Sequence, residues 1–172
     1  MKKISIVLVF AGLFSVTGFG QDNKKIPPPP SFSIGIEGAF PANDLALISS
    51  MGIGMRMQTV TPFCQMAGVS FSGGFTCYSV TRDAKTLDAH NFIAFPAEAG
   101  VRLFSAKGLY CEPETGFTFF SGKSGGDIAF TYAFNVGVRA GSNLDFSFGY
   151  ENAPYKGLKL SHAGVNIAYV FH

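Results

Sequence analysis

The chain has 172 residues, a formal net charge of +2 and 47% hydrophobic residues, but only 14% charged residues. A balance this close to neutrality gives no electrostatic case for nucleic-acid binding. The length suits one domain, yet so few charged side chains leave little polar material to cover the surface of a soluble protein. These numbers argue against a soluble domain of ordinary composition.

The first segment is typical of a secretory signal peptide. A Met-Lys-Lys start precedes an apolar run over 4–19, which ends in the small-residue sequence Gly-Phe-Gly. The run is short for a transmembrane helix, and no stop-transfer charge cluster adjoins it. We predict a signal peptide over 1–20, cleaved before Gln21, and an extended proline-rich periplasmic leader over 21–30.

Eight segments of the remaining chain, residues 31–172, alternate between apolar residues and small or polar ones with a period of two. They are Phe32–Phe40, Leu47–Thr59, Phe63–Val80, Asn91–Phe104, Gly108–Phe120, Ile128–Arg139, Leu144–Asn152 and Lys159–Phe171. None of them is an unbroken apolar run of the length that a helical span requires. Secretion combined with alternation predicts an all-β fold, an eight-stranded antiparallel up-and-down transmembrane β-barrel.

The connectors between these segments alternate in character. The polar or Gly/Pro-rich ones are Pro41–Ala46, Thr81–His90, Ser121–Asp127 and Ala153–Leu158, and the tight ones are Val60–Pro62, Ser105–Lys107 and Ala140–Asn143. Short turns at one end and longer loops at the other are typical of outer-membrane barrels, in which the short turns are periplasmic. We therefore expect both termini on the periplasmic side.

The same alternation assigns each residue to a face. Apolar side chains such as Ile36, Phe95 and Phe148 take the outward positions, whereas nearly every charge in the segments takes an inward one. This separation is what a barrel in lipid requires, because Arg or Lys at mid-depth on the lipid face costs about 2–4 kcal/mol. The Gly73-Gly74 pair predicts a β-bulge that resets the parity of the third segment beyond it.

The inward charges form the candidate site. They include Glu37, Arg56, Glu98, Arg102, Glu112, Glu114 and Arg139. Folding the fourth and fifth segments about Ser105–Lys107 places Arg102 opposite or diagonal to Glu112. Neighbouring carboxylates can serve in acid/base catalysis, but three arginines on the same face favour an ion-paired plug in a lumen wide enough for side chains alone. We predict a structural charge network, with no catalytic residue and no cofactor.

Histidine, serine and cysteine residues offer little chemistry in this pattern. Ser161 and His162 could belong to a hydrolase, but adjacent strand residues point to opposite faces and cannot share a proton directly. The three histidines lie on separate segments without paired Cys/His spacing, so no metal site is expected. Cys64 and Cys77 lie too far apart on one strand to form a disulfide, and Cys111 belongs to a strand that is not adjacent.

Two stretches resemble a known family. Phe92–Phe104, a tight turn and Gly108–Phe117 are similar to the central hairpin of the PorT-like proteins, or outer membrane protein beta-barrel domain. In that hairpin the first strand contains a proline, and the second has a Gly-Pro-like step that here reads Glu112-Pro113. Gly164–Phe171 resembles the closing strand of the family.

The resemblance covers residues 31–172 and implies a place in the outer membrane of a Gram-negative cell envelope. It implies that the barrel assembly machinery recognises the closing strand, with its aromatic residues Tyr169 and Phe171. It implies no assigned chemistry, since most family members have none.

We therefore expect a monomeric integral outer-membrane protein that contacts membrane lipid and has a structural or surface-interaction role, with no partner assigned to its external loops. One alternative is a membrane-embedded lipid-modifying enzyme of the lipid A deacylase or acyltransferase type. Another is a soluble lipid carrier similar to the lipocalins. A requirement for detergent and the mass of lipid A distinguish these three hypotheses.

Overall fold

The computed structural model describes residues 28–81, 91–105, 108–122, 125–155 and 157–171. The predicted signal peptide, residues 21–27 of the predicted leader, His90 and His172 lie outside the described residues. The last part of the leader, Pro28–Pro30, is exposed and belongs to no strand.

Eight strands and one short helix make up the described structure. They are β1 (Ser31–Asn43), α1 (Asp44–Ile48), β2 (Ser49–Pro62), β3 (Ala67–Val80), β4 (Phe92–Phe104), β5 (Leu109–Gly122), β6 (Gly125–Ala140), β7 (Leu144–Tyr155) and β8 (Leu158–Phe171). Each strand pairs antiparallel with the next, and β8 pairs with β1 to close the barrel. This confirms the predicted fold class. Within the described ranges, no helix has the length and apolar character needed to cross a bilayer.

The strand register makes the barrel strongly staggered. Phe32 of β1 pairs with Thr59, and following cross-strand partners through β3 to β8 leads back to β1 at Ala42. One circuit therefore shifts the register by ten residues, the difference between positions 32 and 42. Such a stagger tilts the strands by about 40° and leaves an interior that side chains can fill.

The two faces of the sheet agree with the predicted assignment. Large apolar side chains are exposed on the outer face of every strand, with Ile36 the most exposed on β1 at 66%. The buried residues include more polar and charged side chains than apolar ones among those described. The polarity of a soluble protein is thus inverted, as expected for a barrel whose outer surface faces hydrocarbon.

The predicted bulge at Gly73-Gly74 is wrong. The β2–β3 register runs unbroken from Met51/Ser79 to Pro62/Gly68, and the one irregularity in this pairing lies between Ser49 and Met51. Glycine is needed here for space, because a Cβ on Gly74 would collide with the Met55 carbonyl of β2. The outward parity therefore continues past the glycines through Phe75 and Cys77.

The connectors differ from the prediction at both ends of the barrel. At the end that carries α1, called the loop end below, pairing continues to Gly122/Gly125 and to Tyr155/Leu158, so two predicted long loops are mostly strand. At the opposite end, called the turn end, β2 extends through Pro62, and the β2–β3 turn occupies 63–66. Backbone pairing satisfies N–H and C=O groups whatever the composition, which explains why Gly- and Pro-rich stretches joined the strands.

The closing register can be tested by a disulfide on the lipid-facing side. Ile36 and Ile167 are direct cross-strand partners, and such pairs lie about 4.5–5.5 Å apart, within the span of a disulfide. All three native cysteines are free and would first be replaced by serine. We expect Ile36→Cys with Ile167→Cys to form an intrachain crosslink on oxidation, detected by mass spectrometry.

The matched control moves one cysteine out of register. Ile36→Cys with Tyr169→Cys separates the two positions by roughly 7–8 Å, and little crosslink should form. Equal yields from both pairs would mean that the β1–β8 register is wrong.

Candidate functional site

The candidate site is the polar interior of the barrel, where glycines lie beside the two long charged side chains Arg56 and Arg102. Arg56 of β2 has glycine as its cross-strand neighbour on both sides, Gly35 on β1 and Gly74 on β3. Arg102 of β4 is likewise opposite Gly68. Glycine at these positions lets neighbouring strands approach closely, since a Cβ on Gly35 would collide with Asn166 of β8 and one on Gly74 with the Met55 carbonyl. The charged side chains that cross the lumen form three layers.

The layer nearest the turn end is built on Arg102. Its guanidinium donates to Glu112 Oε2 at 2.8 Å and to Asp145 Oδ2 at 3.2 Å, and it also donates to the Gln58 side-chain oxygen. Its Cζ lies 3.8 Å from the centroid of the Tyr110 ring, whose hydroxyl donates to Asp145 Oδ1 at 2.5 Å. All of these hydrogen bonds are buried, so they hold the side chains of this layer in fixed orientations.

The middle layer is built on Arg56. Its Nη2 donates to Glu114 Oε2, to Ser72 Oγ at 3.0 Å and to Glu98 Oε2 at 3.4 Å. Glu114 is well satisfied, since Ser72 Oγ donates to its Oε1 at 2.8 Å and Asn135 Nδ2 to its Oε2 at 2.5 Å. In the part of the chain that the structure describes, Glu98 has one contact, the long one with Arg56, and its Oε1 has no hydrogen-bond partner.

The layer nearest the loop end surrounds His162. Its Nε2 lies 3.3 Å from Glu37 Oε1 and 3.8 Å from Glu151 Oε2, and its Nδ1 lies 3.1 Å from the Tyr78 hydroxyl. Thr118 Oγ1 donates to Glu151 Oε1 at 3.4 Å. Both ring nitrogens of His162 therefore have a buried polar partner.

Ser161, the neighbour of His162, belongs to a different set of contacts. Its hydroxyl donates to Asn152 Oδ1 at 2.6 Å and accepts from Asn43 Nδ2 at 3.1 Å. The two residues therefore share no hydrogen bond, as the opposite faces of a strand require. Among the residues described, no group of three or more His, Cys, Asp or Glu is arranged to hold a metal ion.

Helix α1 covers the loop end of the lumen. Leu45 is 2% exposed and packs in an apolar cluster with Ala39, Tyr78 and Ala94. The backbone turns into the helix at Asn43 with a positive φ of 52°, and the Asn43 side chain donates to the Tyr150 hydroxyl at 2.9 Å. This apolar cap separates the loop-end layer from the outside.

The structure brings six of the seven predicted network residues into contact with other groups of the lumen and leaves one at the edge. Glu37, Arg56, Glu98, Arg102, Glu112 and Glu114 lie within the three layers. Arg139 is half-buried at the turn end, opposite Asp145 in the β6–β7 register, and donates to Ser31 Oγ at 3.4 Å.

Several neutral members of the network were not singled out from the sequence. Gln58, Tyr110, Tyr78 and Ser72 each contact two or more of the charged or ring groups. The sequence does predict that these side chains point inward. Gln58 and Tyr110 each lie two positions from an inward charged residue on the same strand. Ser72 and Tyr78 lie on the inward face of β3, and Ser72 pairs directly with Glu98. Their specific partners could not be predicted, since these depend on the stagger of the closed barrel.

The two aromatic residues of the closing strand lie on the outer face at the turn end. Tyr169 and Phe171 are both about half exposed, and their ring centroids lie 4.8 Å apart in an edge-to-face arrangement. Phe32 of β1 extends this group, 6.1 Å from Phe171. Aromatic side chains at the edge of an apolar band are typical of the membrane interface in outer-membrane barrels.

Solved structures with the same fold are membrane barrels. The crystal structure of Ail, the attachment invasion locus protein of Yersinia pestis, covers 85% of this chain and 100% of its own, with 15% identity and a TM-score of 0.61. The N-terminal β-barrel domain of Pseudomonas aeruginosa OprF covers 82% and 97%, with 12% identity and a TM-score of 0.55. A designed transmembrane β-barrel covers 84% and 98%, with 13% identity and a TM-score of 0.52.

No protein-family model matches this sequence, and no curated protein matches it. With identities this low, the structural likeness establishes the fold, a closed eight-stranded barrel of the outer-membrane type, and nothing finer.

Removing the Arg102 guanidinium should clearly destabilise the barrel. Arg102→Leu leaves Glu112 and Asp145 buried without their cation, and such a loss typically costs about 3–5 kcal/mol in the free energy of unfolding. Arg102→Leu with Glu112→Leu should recover part of that loss, because one orphaned carboxylate is then gone. Urea unfolding of the purified barrel in detergent micelles measures both.

The matched control is Arg139→Leu, which removes an arginine that is only half-buried. Its effect should stay below about 1 kcal/mol, as for exposed ion pairs. Equal stability of Arg102→Leu and the wild type would show that the turn-end layer does not stabilise the fold.

Proposed function

We propose that this chain is a monomeric integral protein of the outer membrane, with a structural or surface-interaction role and no catalytic activity. The observation that carries the proposal is the inverted polarity of the barrel: exposed apolar side chains outside and ion-paired charges inside. Only lipid can cover such an outer face without the cost of exposing it to water. Outer-membrane lipid is therefore its first partner.

The filled lumen supports a role other than transport. Two polar cavities lie among the described lumen residues, each with room for about one water molecule. Arg56 lines both cavities, and Leu45 of α1 packs in an apolar cluster at the loop end. A barrel packed this way supports no steady flow of solutes.

The contacts of the candidate catalytic residues argue against the lipid-modifying alternative. The hydroxyl of Ser161 is engaged by two asparagines, and His162 is held by carboxylates and Tyr78 inside the capped lumen. A nucleophile needs an activating base within reach and access to its substrate. The soluble-carrier alternative needs an apolar interior, whereas this interior is charged.

We assign the chain within the small outer-membrane barrels to the PorT-like proteins, on the resemblance of its β4–β5 hairpin and closing strand. In this proposal Tyr169 and Phe171 form the signal that the barrel assembly machinery recognises, supported by their exposure at the end of β8. Ail, of similar fold, has been solved in a phospholipid bilayer nanodisc and with the heparin analogue sucrose octasulfate. A surface-interaction role for this chain is consistent with that precedent.

Fractionation tests the proposal directly. The protein, expressed with its own leader, should sediment with the outer membrane and require detergent for extraction. Unboiled samples should migrate faster on a denaturing gel than boiled ones, because a closed barrel resists unfolding by the detergent. Lipid A from the same cells should keep its mass.

Two outcomes would contradict the proposal in different ways. Recovery in the soluble periplasmic fraction without detergent would exclude the membrane location. A change in the mass of lipid A that depends on His162 or Ser161 would establish the enzyme instead.

A further inference from the structure

The middle and loop-end layers of the lumen contain more acidic than basic side chains among the described residues. Among the described residues, the turn-end layer balances Glu112 and Asp145 against Arg102 and the nearby Arg139. The middle and loop-end layers contain four inward carboxylates, Glu37, Glu98, Glu114 and Glu151. Within the described ranges, the basic side chains that contact these four carboxylates are Arg56 and His162.

One of these four carboxylates is not satisfied. Glu114 accepts from Arg56, Ser72 and Asn135, and Glu151 contacts Thr118 and His162. The Glu98 side chain is 0% exposed, yet among the described residues its Oε2 has one contact, at 3.4 Å with Arg56, and its Oε1 has no hydrogen-bond partner. Glu98 is thus the point at which the excess negative charge is uncompensated.

The groups that face Glu98 come from every neighbouring part of the lumen. Arg56 on β2 attracts its negative charge, while Glu37 on β1, Glu114 on β5 and Glu151 on β7 repel it. Its direct neighbour on β3 is the neutral Ser72. Burying a carboxylate with a bare oxygen among three others is unfavourable, because both desolvation and repulsion oppose its negative charge.

We propose that the middle layer binds one small monovalent cation at Glu98. Two cations could fill this site, a proton or an alkali-metal ion, and each would bring a single positive charge to the free Oε1 of Glu98. A proton would make Glu98 a neutral acid that can donate a hydrogen bond, and an alkali-metal ion would neutralise it from within the lumen. This site goes beyond the proposed function and does not depend on it.

The experiment compares wild type, Glu98→Gln and the matched control Glu114→Gln, all refolded in detergent micelles. Glutamine keeps the shape of the side chain and removes the charge, so Glu98→Gln should be at least as stable as the wild type at pH 8. Glu114→Gln should be less stable, because it removes the main partner of Arg56. Urea unfolding gives the equilibrium constants.

Two arms identify the cation. In the first, pH is raised from 5.5 to 9 at constant ionic strength. If only the folded state holds the proton, the stability of the wild type relative to Glu98→Gln falls by up to about tenfold in equilibrium constant per pH unit. In the second arm, the bulky organic cation N-methylglucamine in the buffer is replaced by sodium at constant pH and ionic strength. Binding of sodium would stabilise the wild type but not Glu98→Gln.

Dependence on either pH or sodium that Glu98→Gln abolishes supports the site and names its occupant. Two results would overturn it. One is a stability difference between wild type and Glu98→Gln that stays constant across both arms. The other is a Glu98→Gln variant that fails to fold or loses as much stability as Glu114→Gln.

Discussion

The structure depends on one constraint: a chain surrounded by hydrocarbon must satisfy its polar groups internally. Closing β1 on β8 removes the free sheet edges, so the backbone N–H and C=O groups of each strand pair with its neighbours. The side chains follow from the same constraint, with apolar ones outside and charged ones inside. A soluble sandwich with the same alternation would place them the other way round.

The interior then has to resolve a packing problem as well as an electrostatic one. An eight-stranded barrel has little internal space, and Gly35 and Gly74 let adjacent strands approach where a Cβ would collide with Asn166 or with the Met55 carbonyl. Hydrogen bonds from Ser72 and Asn135 orient Glu114 for Arg56. Small and neutral inward residues are therefore as much a part of the charge network as the ions, because they determine where each ion can lie.

The alternation in the sequence was enough to predict the eight strands, their faces and the inward position of the charges. It was not enough to predict the stagger, which arises only when β8 meets β1 and which decides that Arg56 contacts Glu98 and Glu114. The glycine pair Gly73-Gly74 led to a wrong prediction of a bulge, whereas Gly74 is needed because β3 approaches the Met55 carbonyl of β2 closely. Local composition also led to a wrong prediction at the hairpins, where barrel pairing extended the strands. Leu47 and Ile48 fitted a strand pattern, but burial of Leu45 over the lumen favoured a helix.

Contact between the outer face of the strands and lipid acyl chains can be measured with a single fluorescent probe. The chain has no tryptophan, and Phe148 is an exposed outward residue of β7 between Val136 and Val165. Phe148→Trp in vesicles should emit at short wavelength and be quenched by lipids brominated on their acyl chains. Emission typical of tryptophan in water, with no quenching by these lipids, would show that this face of the barrel lies in water and not in the bilayer.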